Sequence, residues 1–172
     1  NMAQALDNSC NLWFIQAAQT LQPTVFYDYI RAFGFTQPTG VDLPSETRWT
    51  SVYNAQQMAE VDTNLYTAAF GQNEAITPMQ MATAIAAIAN GGYLVTPYIV
   101  DSITDDAGNI ISQTDTSVRR QVISEEVSQE ILSMMENNVE PNGTLSTRHS
   151  CKNAYVAGYR IGGKSGTAER TD

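Results

Sequence analysis

Cysteine, histidine and basic side chains are scarce in this sequence, and each scarcity excludes a class of site or partner. The 172 residues include two Cys, one His, and 9 Lys or Arg against 18 Asp or Glu, which gives a net charge of −9. Two Cys cannot build a disulfide framework, and with a single His they fall short of the roughly four ligands that a zinc site needs. The acidic excess argues against nucleic acid or an anionic membrane surface as a partner.

Long apolar runs are also absent. The longest unbroken run, Ala84 to Ala89, has six residues, far fewer than the roughly 18–20 of a membrane-spanning helix. The length fits one domain that can bury its own core. Because the chain opens at Asn1 and closes directly after a dense motif, we interpret residues 1–172 as one incomplete domain cut from a longer protein. We expect the piece itself to be soluble.

Four stretches have the apolar spacing, such as i, i+3, i+4, i+7, that predicts a helix. They run from Phe14 to Leu21, Phe26 to Phe33, Met81 to Ile88 and Val127 to Met135. Asp7, Asn8 and Ser9 are cap candidates for the first helix, and Thr77 with Gln80 predicts a capping box at the start of the third. The predicted buried stripe of the third helix is Met81, Ala84, Ile85 and Ile88.

Segments rich in Val, Ile and Tyr predict strands between these helices. The predicted strands are Tyr93–Ile103, a return strand that begins at Ile110 after a turn at 105–109, Tyr155–Ile161 and Gly163–Glu169, and Thr36–Glu46 is predicted to be a loop. Helices combined with a few antiparallel strands predict an α+β fold. We expect a helix-rich domain whose antiparallel sheet is incomplete.

Two short motifs, 155 residues apart, contain the side chains that acyl transfer needs. Ser9-Cys10-Asn11 precedes the first predicted helix, and Lys164-Ser165-Gly166-Thr167 lies on the last predicted strand. A hydroxyl and a cation, Ser9 and Lys164, can move a proton between a nucleophile and a leaving group. Each motif by itself is weak evidence, because a serine before a helix is more commonly a cap and a Lys-Ser-Gly run is more commonly a solvated strand end.

The neighbouring residues suit the other groups of a peptide substrate. The Asn11 amide can donate and accept hydrogen bonds at once. Gly166 allows a substrate strand to approach the backbone closely, and the Thr167 N–H can donate to an oxyanion. The hydroxyls of Ser165 and Thr167, beside Lys164, suit a substrate carboxylate.

A competing interpretation uses part of the same segment. Gly158–Ser165 matches the nucleotide-binding pattern G-x-x-x-x-G-K-[ST]. That motif requires a strand before it and a helix after it, whose backbone N–H groups face the phosphates. The residues after Ser165 carry no apolar helical stripe, so a nucleotide-binding module is the weaker interpretation.

Further short stretches follow in a fixed order along the chain. They are Arg31–Phe35, Thr39–Glu46, Phe70–Gln72, Ile76–Ala82, Ala87–Gly92 and Lys152–Glu169. Ser9-Cys10-Asn11 fits the pattern S-x-N, and Lys164-Ser165-Gly166 fits K-[ST]-G. In the order and spacing of these motifs and stretches, residues 3 to 170 resemble the transpeptidase domain of class B penicillin-binding proteins. Those proteins belong to the penicillin-recognising serine acyltransferases.

The resemblance implies a partial β-lactamase-like transpeptidase fold and an extracytoplasmic enzyme that cross-links peptidoglycan. Its partners would be D-Ala-D-Ala stem peptides and β-lactam antibiotics, it would need no cofactor, and the parent protein would work at the outer face of the cell membrane. By motif position, Ser9 and Lys164 would belong to the proton relay and Asn11 would contact the substrate amide. Ser165, Gly166 and Thr167 would bind the substrate, with the Thr167 N–H completing the oxyanion hole.

One element of the family pattern does not occur in these residues. The family's nucleophilic serine lies in S-x-x-K, but the residues three before Lys152 and Lys164 are His149 and Ile161. We therefore expect S-x-x-K to lie upstream and the 172 residues by themselves to be inactive. A sensor of β-lactams or peptidoglycan on the same fold, or a β-lactamase, stays open as an alternative. The incomplete sheet predicts exposed apolar surface and self-association through its edge.

Overall fold

The computed structural model describes residues 1–47, 50–141 and 150–167, and in these ranges it confirms a helix-rich α+β fold. The helices are α1 (Met2–Asp7), α2 (Asn11–Thr20), α3 (Pro23–Ala32), α4 (Ala55–Glu60), α5 (Asp62–Ala69), α6 (Pro78–Ala89) and α7 (Glu125–Asn137). The strands are β1 (Tyr93–Val95), β2 (Ser102–Thr104), β3 (Ile110–Gln113) and β4 (Val118–Gln121). In the ranges that the structure describes, no helix is both long and apolar enough to cross a membrane.

Helices α2 to α5 enclose the main apolar core. Ala18, Met58 and Leu65 are buried together, and Phe26 and Ile30 of α3 pack against them. Helix α6 packs on β1 and α7, while α1 packs on both α7 and α2. Helix α1 therefore connects the helical core to α7, which is the helix that later positions half of the candidate site.

Three of the helices were not predicted from the sequence. Helices α1, α4 and α5 have 6, 6 and 8 residues, too few for a repeated apolar stripe. Helix α4 did carry a signal, since Asn54 and Gln57 form a complete capping box at its start. The four predicted helices all form.

Helix α6 begins as predicted but buries a different face. Thr77 caps it, Gln80 completes the capping box and Pro78 is in its first turn. The predicted stripe is wrong at Met81 and Ile85, which are 45% and 42% exposed. The buried residues are Gln80, Thr83, Ala84 and Ala87.

The reason is a polar contact with the loop that follows α3. Gln80 Nε2 donates to the carbonyl oxygens of Gly34, Phe35 and Gln37 at 3.4, 3.3 and 2.8 Å. These bonds satisfy carbonyls at and beyond the C-terminus of α3. They turn Gln80 inward, and the adjacent Met81 outward.

The predicted strand Tyr93–Ile103 is in fact two strands in different sheets. β1 pairs with β4 and β2 pairs with β3, both antiparallel. Between them the Asp42 carboxylate accepts hydrogen bonds from the N–H groups of Ile99 and Val100, each at 2.8 Å. Because these donors are taken and Pro97 has none, the segment cannot continue as one ladder.

The β2–β3 hairpin forms as predicted and exposes its apolar side chains. Asp105 Oδ1 accepts the N–H groups of Ala107 and Asn109, which closes the turn. Ile103, Ile110 and Ile111 are 53%, 61% and 67% exposed. Exposed apolar surface was expected from the sequence, and self-association through it stays a prediction.

The segment Tyr155–Ile161 is not a strand. It follows a single 3₁₀ turn at Lys152–Ala154 and contains a second turn, in which the Tyr159 N–H donates to the Val156 carbonyl at 3.1 Å. Gly158, with φ of +87°, allows this second turn. Residues 161–167 form neither a helix nor a turn, and they pair with no strand of the described chain. The prediction of a strand over Gly163–Glu169 is thus wrong as far as Thr167, and Ala168 and Glu169 lie outside the described residues.

Candidate active site

The serine motif lies in the tight turn between α1 and α2. The Cys10 N–H donates to the Ala5 carbonyl at 2.9 Å, which closes α1, and the Cys10 carbonyl accepts from Trp13 N–H at 3.1 Å, which begins α2. In this short connection Ser9 has a φ of +50°, a conformation that residues other than Gly seldom adopt. We call residues 6–11 the serine side of the site.

The Ser9 hydroxyl is not a helix cap. The residue in the cap position of α2 is Cys10, which makes no side-chain cap bond, so the cap interpretation of Asp7, Asn8 and Ser9 is wrong for this helix. Ser9 Oγ instead accepts a hydrogen bond of 2.8 Å from Lys164 Nζ. Asn11, in the first turn of α2, is exposed and lines the same cleft.

The lysine motif is held in place by the last turn of α7. The Gly163 N–H donates to the Met135 carbonyl at 3.1 Å, and the Gly163 carbonyl accepts from Asn138 Nδ2 at 2.9 Å. Both polar groups of the residue before Lys164 are therefore fixed by one helix end. We call residues 160–167 the lysine side.

Asn138 positions the lysine side and was not predicted from the sequence. Its side chain is fully buried, and its Oδ1 accepts from Ser150 Oγ at 3.0 Å while Nδ2 faces Cys151 Sγ at 3.5 Å. The sequence does not predict this contact, because polar residues are common at helix ends and the partner, the Gly163 carbonyl, lies 25 residues away. Asn138 thus connects α7, the 150–151 segment and the lysine side.

Two further contacts hold the lysine side against α7. Arg160 makes a two-pronged ion pair with Glu136, with both nitrogen–oxygen distances 2.7 Å. A side chain at Gly162 would place its Cβ 3.1 Å from Met135 Cβ, closer than ordinary van der Waals contact. A glycine at 162 therefore lets the lysine side lie directly on α7.

Lys164 reaches across the cleft with a partly buried ammonium group. Besides Ser9, Nζ donates to the Ser165 carbonyl at 2.6 Å. Desolvation lowers the pKa of Lys164, and the nearby Cys151 acts in the opposite direction. A lysine whose pKa lies below its ordinary value gives up a proton more readily at neutral pH, as a general base or relay residue must.

All six predicted site residues lie along one cleft of about 290 Å³. They are Ser9, Asn11, Lys164, Ser165, Gly166 and Thr167. Phe70 and Gln72, from the Phe70–Gln72 stretch, complete the wall between the two sides, and Phe14 adds an apolar surface. The arrangement offers a cation and several hydroxyl and amide groups to an extended peptide, together with an apolar wall.

Other chemistries find no support in the part of the chain that the structure describes. No group of three or more His, Cys, Asp and Glu side chains there is placed to hold a metal. The nucleotide alternative requires a helix from about Ser165, but residues 161–167 are not helical and the Lys164 ammonium faces Ser9. The described residues therefore form no phosphate cradle at this motif.

Comparison of the sequence with known proteins finds relatives that match nearly the whole chain. A family model described as the penicillin binding protein transpeptidase domain matches residues 1–172. Stage V sporulation protein D of Bacillus subtilis is 36% identical over 171 residues, covering 97% of this chain and 24% of that protein. Penicillin-binding protein 2B of Streptococcus pneumoniae is 32% identical over 191 residues, covering 96% of this chain and 27% of that protein. The chain thus spans about a quarter of the length of these relatives.

Solved structures show the same similarity. Penicillin-binding protein 3 from Mycobacterium tuberculosis, crystallised with aztreonam, matches with a TM-score of 0.89 and 27% identity over 100% of this chain and 38% of that one. A peptidoglycan synthetase from Bifidobacterium adolescentis matches with a TM-score of 0.83 and 30% identity, over 100% of this chain and 30% of that one.

Proposed function

The chain belongs to the penicillin-binding protein transpeptidase domain family, and we propose that it is part of a peptidoglycan D,D-transpeptidase. In that enzyme it binds the stem peptide and moves protons to and from the reacting groups during acyl transfer. The observation that carries the proposal is the 2.8 Å contact between Lys164 Nζ and Ser9 Oγ. That contact lies in a cleft also lined by Asn11 and by Ser165-Gly166-Thr167.

The proposed roles follow from the chemistry of each group. Ser9 and Lys164 exchange a proton with the reacting oxygen and the leaving amine, and the lowered pKa of Lys164 suits that exchange. Asn11 holds the amide of the substrate backbone. The hydroxyls of Ser165 and Thr167 bind the terminal carboxylate of a D-Ala-D-Ala peptide, or the carboxylate of a β-lactam.

The backbone of the lysine side supplies the remaining groups. Gly166 has no atom within 4 Å of where a Cβ would lie, so the substrate strand can approach it. The Thr167 N–H serves as an oxyanion donor. Because peptidoglycan lies outside the cell membrane, we expect the active protein to work on the extracytoplasmic side.

The acylated serine has to come from outside the site residues described above. The 172 residues contain no S-x-x-K, and Ser9, Ser165 and Thr167 each have another role. We therefore expect the 172-residue chain, incubated with a labelled penicillin, to form no covalent adduct. An adduct of the correct mass on this chain would contradict the assignment of these three hydroxyls.

The positive test uses the protein expressed from its complete reading frame. That protein should form a penicillin adduct, and Lys164→Ala should slow acylation by about 10²-fold or more, the range of a lost acid–base group. Lys152→Ala, at the other lysine of the sequence, is the matched control and should acylate at the normal rate. Equal rates for the two variants would refute the role of Lys164, and absence of any adduct on the complete protein would refute the function.

An adduct that forms and then persists without transfer to an acceptor amine would favour the sensor interpretation.

A further inference from the structure

A second cavity lies behind the wall of the cleft. Residues 68–72 pass between the two spaces, with Ala69, Phe70 and Gln72 lining the cleft and Ala68 and Gly71 lining the second cavity. Gly71 has a φ of +81°, which lets the backbone turn sharply at this wall. The second cavity is therefore close to the candidate active site but separated from it by one chain segment.

The second cavity is apolar apart from one carboxyl group. Its volume is about 240 Å³. The apolar wall is formed mainly by Phe26, Ile30, Phe35, Val52, Ile76 and Met81. Glu74 is the one ionisable side chain in the lining that the structure describes.

Glu74 is poorly satisfied where it lies. Its Oε1 accepts a long hydrogen bond of 3.4 Å from the Tyr53 N–H, and its Oε2 is buried without a hydrogen-bond partner in the described chain. Burial raises the pKa of Glu74 to about 7, and the Tyr53 N–H acts in the opposite direction. An unpartnered polar atom in an apolar site is costly. Among the described residues, the Glu74 carboxyl group has only the one long hydrogen bond from Tyr53.

We propose that this cavity binds a small apolar molecule that carries a protonated primary amine, with the amine facing Glu74. A cavity of about 150 Å³ already accepts benzene, so the larger volume here accommodates one ring and a short aminomethyl arm. A protonated amine supplies three donors and the opposite charge. An anion would be repelled by the carboxylate, and a neutral molecule would gain only the apolar contacts. This proposal is independent of the proposed transpeptidase function.

The test is an NMR titration of the intact 172-residue chain with two probes of equal shape, benzylamine and benzyl alcohol. Benzylamine should shift the methyl signals of Ile30, Ile76 and Met81, and it should bind at least tenfold more weakly to Glu74→Gln. Benzyl alcohol should bind the original chain and Glu74→Gln with similar affinity, because the substitution keeps the shape of the cavity. Glu60→Gln is the matched control at an exposed carboxylate and should bind benzylamine as the original chain does.

Acidity provides a second readout for the same site. Between pH 8 and pH 6 the affinity for benzylamine should fall about tenfold, since Glu74 takes up a proton across a pKa of about 7 while the amine stays protonated. Glu74→Gln should show no such fall. Ala68→Val, which adds two methyl groups to the cavity wall, should weaken both probes.

Two results would overturn the proposal. One is equal benzylamine affinity for the original chain and Glu74→Gln. The other is a set of shifts confined to the cleft residues Ser9, Asn11 and Thr167, which would show that the amine binds on the other side of the wall. Neither result would bear on transpeptidase activity, which is measured separately by penicillin acylation.

Discussion

The serine side and the lysine side of the cleft are built in different ways. Ser9 is fixed by backbone hydrogen bonds within the α1–α2 turn, all of them between residues close in sequence. Lys164 lies on a segment that pairs with no strand of the described chain, and its neighbour Gly163 is held by Met135 and Asn138 of the α7 end. The serine side is thus locally determined, whereas the position of Lys164 depends on side chains far from it in sequence. Substitutions at the α7 end should therefore move Lys164 and leave Ser9 in place.

The largest expected effect is that of Asn138→Ala. It leaves the Gly163 carbonyl and the Ser150 hydroxyl without their buried partner, and each such loss costs about 1–3 kcal/mol. We expect the free energy of unfolding, measured with urea, to fall by roughly 2–4 kcal/mol, with loss of the contact between Lys164 and Ser9. The NMR signals of residues in α1 and α2 should keep their positions.

Asn138→Asp is the control for this substitution. It keeps the size and the acceptor for Ser150 but replaces the donor that faces the Gly163 carbonyl. It should therefore also displace the lysine side. A loss below about 0.5 kcal/mol for Asn138→Ala, the range of ordinary surface changes, would mean that Asn138 does not hold this side.

A smaller effect is expected on the serine side, where two substitutions separate the hydroxyl from the backbone strain. Ser9→Ala removes the acceptor for Lys164 and keeps the φ of +50°, so it should cost about 0.5–1.5 kcal/mol. Ser9→Gly also removes the acceptor but relieves the left-handed strain, and it should be more stable than Ser9→Ala by about 1 kcal/mol. Urea unfolding of both variants checks the order, and a glycine variant less stable than the alanine variant would show that φ at Ser9 is not under strain.

The smallest effect is expected from Arg160→Gln, because the Arg160–Glu136 pair lies at the surface. The hydrogen bond and charge of Arg160 hold the pKa of Glu136 below its ordinary value. A group with a lowered pKa stabilises the fold above its unfolded pKa and loses that contribution as pH falls through the folded value. The stability difference between the original chain and Arg160→Gln should therefore disappear in acid and shrink with added salt. A difference that persists in acid would indicate a packing role for Arg160.

The same contrast explains how far the sequence could predict the structure. Local signals were sufficient for α3 and α6, since Pro23, Thr77 and Gln80 act within their own helices. The meeting of Ser9 and Lys164 was expected from the resemblance of the chain to a known family together with the chemistry of the two motifs, not from any local signal. The buried face of α6 was not predictable in this way, because it depends on carbonyls that lie 43 to 46 residues before Gln80.

Long-range polar contacts account for the other errors. The division of Tyr93–Ile103 depends on Asp42, which lies 57 residues before Ile99. At the other error, the Gly163 N–H and carbonyl bond to Met135 and Asn138, which lie 28 and 25 residues before Gly163. Periodicity and composition describe neighbours along the chain, so contacts of this kind leave no trace in them.

The most direct test of the account is the titration of Lys164 followed by NMR of chain labelled at the lysine Cε carbons. The sequence has two lysines, and Lys164→Arg assigns the signals. We expect Lys164 to titrate below the ordinary lysine value of 10.5. Ser9→Ala should lower this pKa further because it removes an acceptor that favours the ammonium, and Asn138→Ala should raise it by releasing Lys164 to solvent. A Lys164 that titrates at the ordinary value and responds to neither substitution would contradict the joining of the two sides into one site.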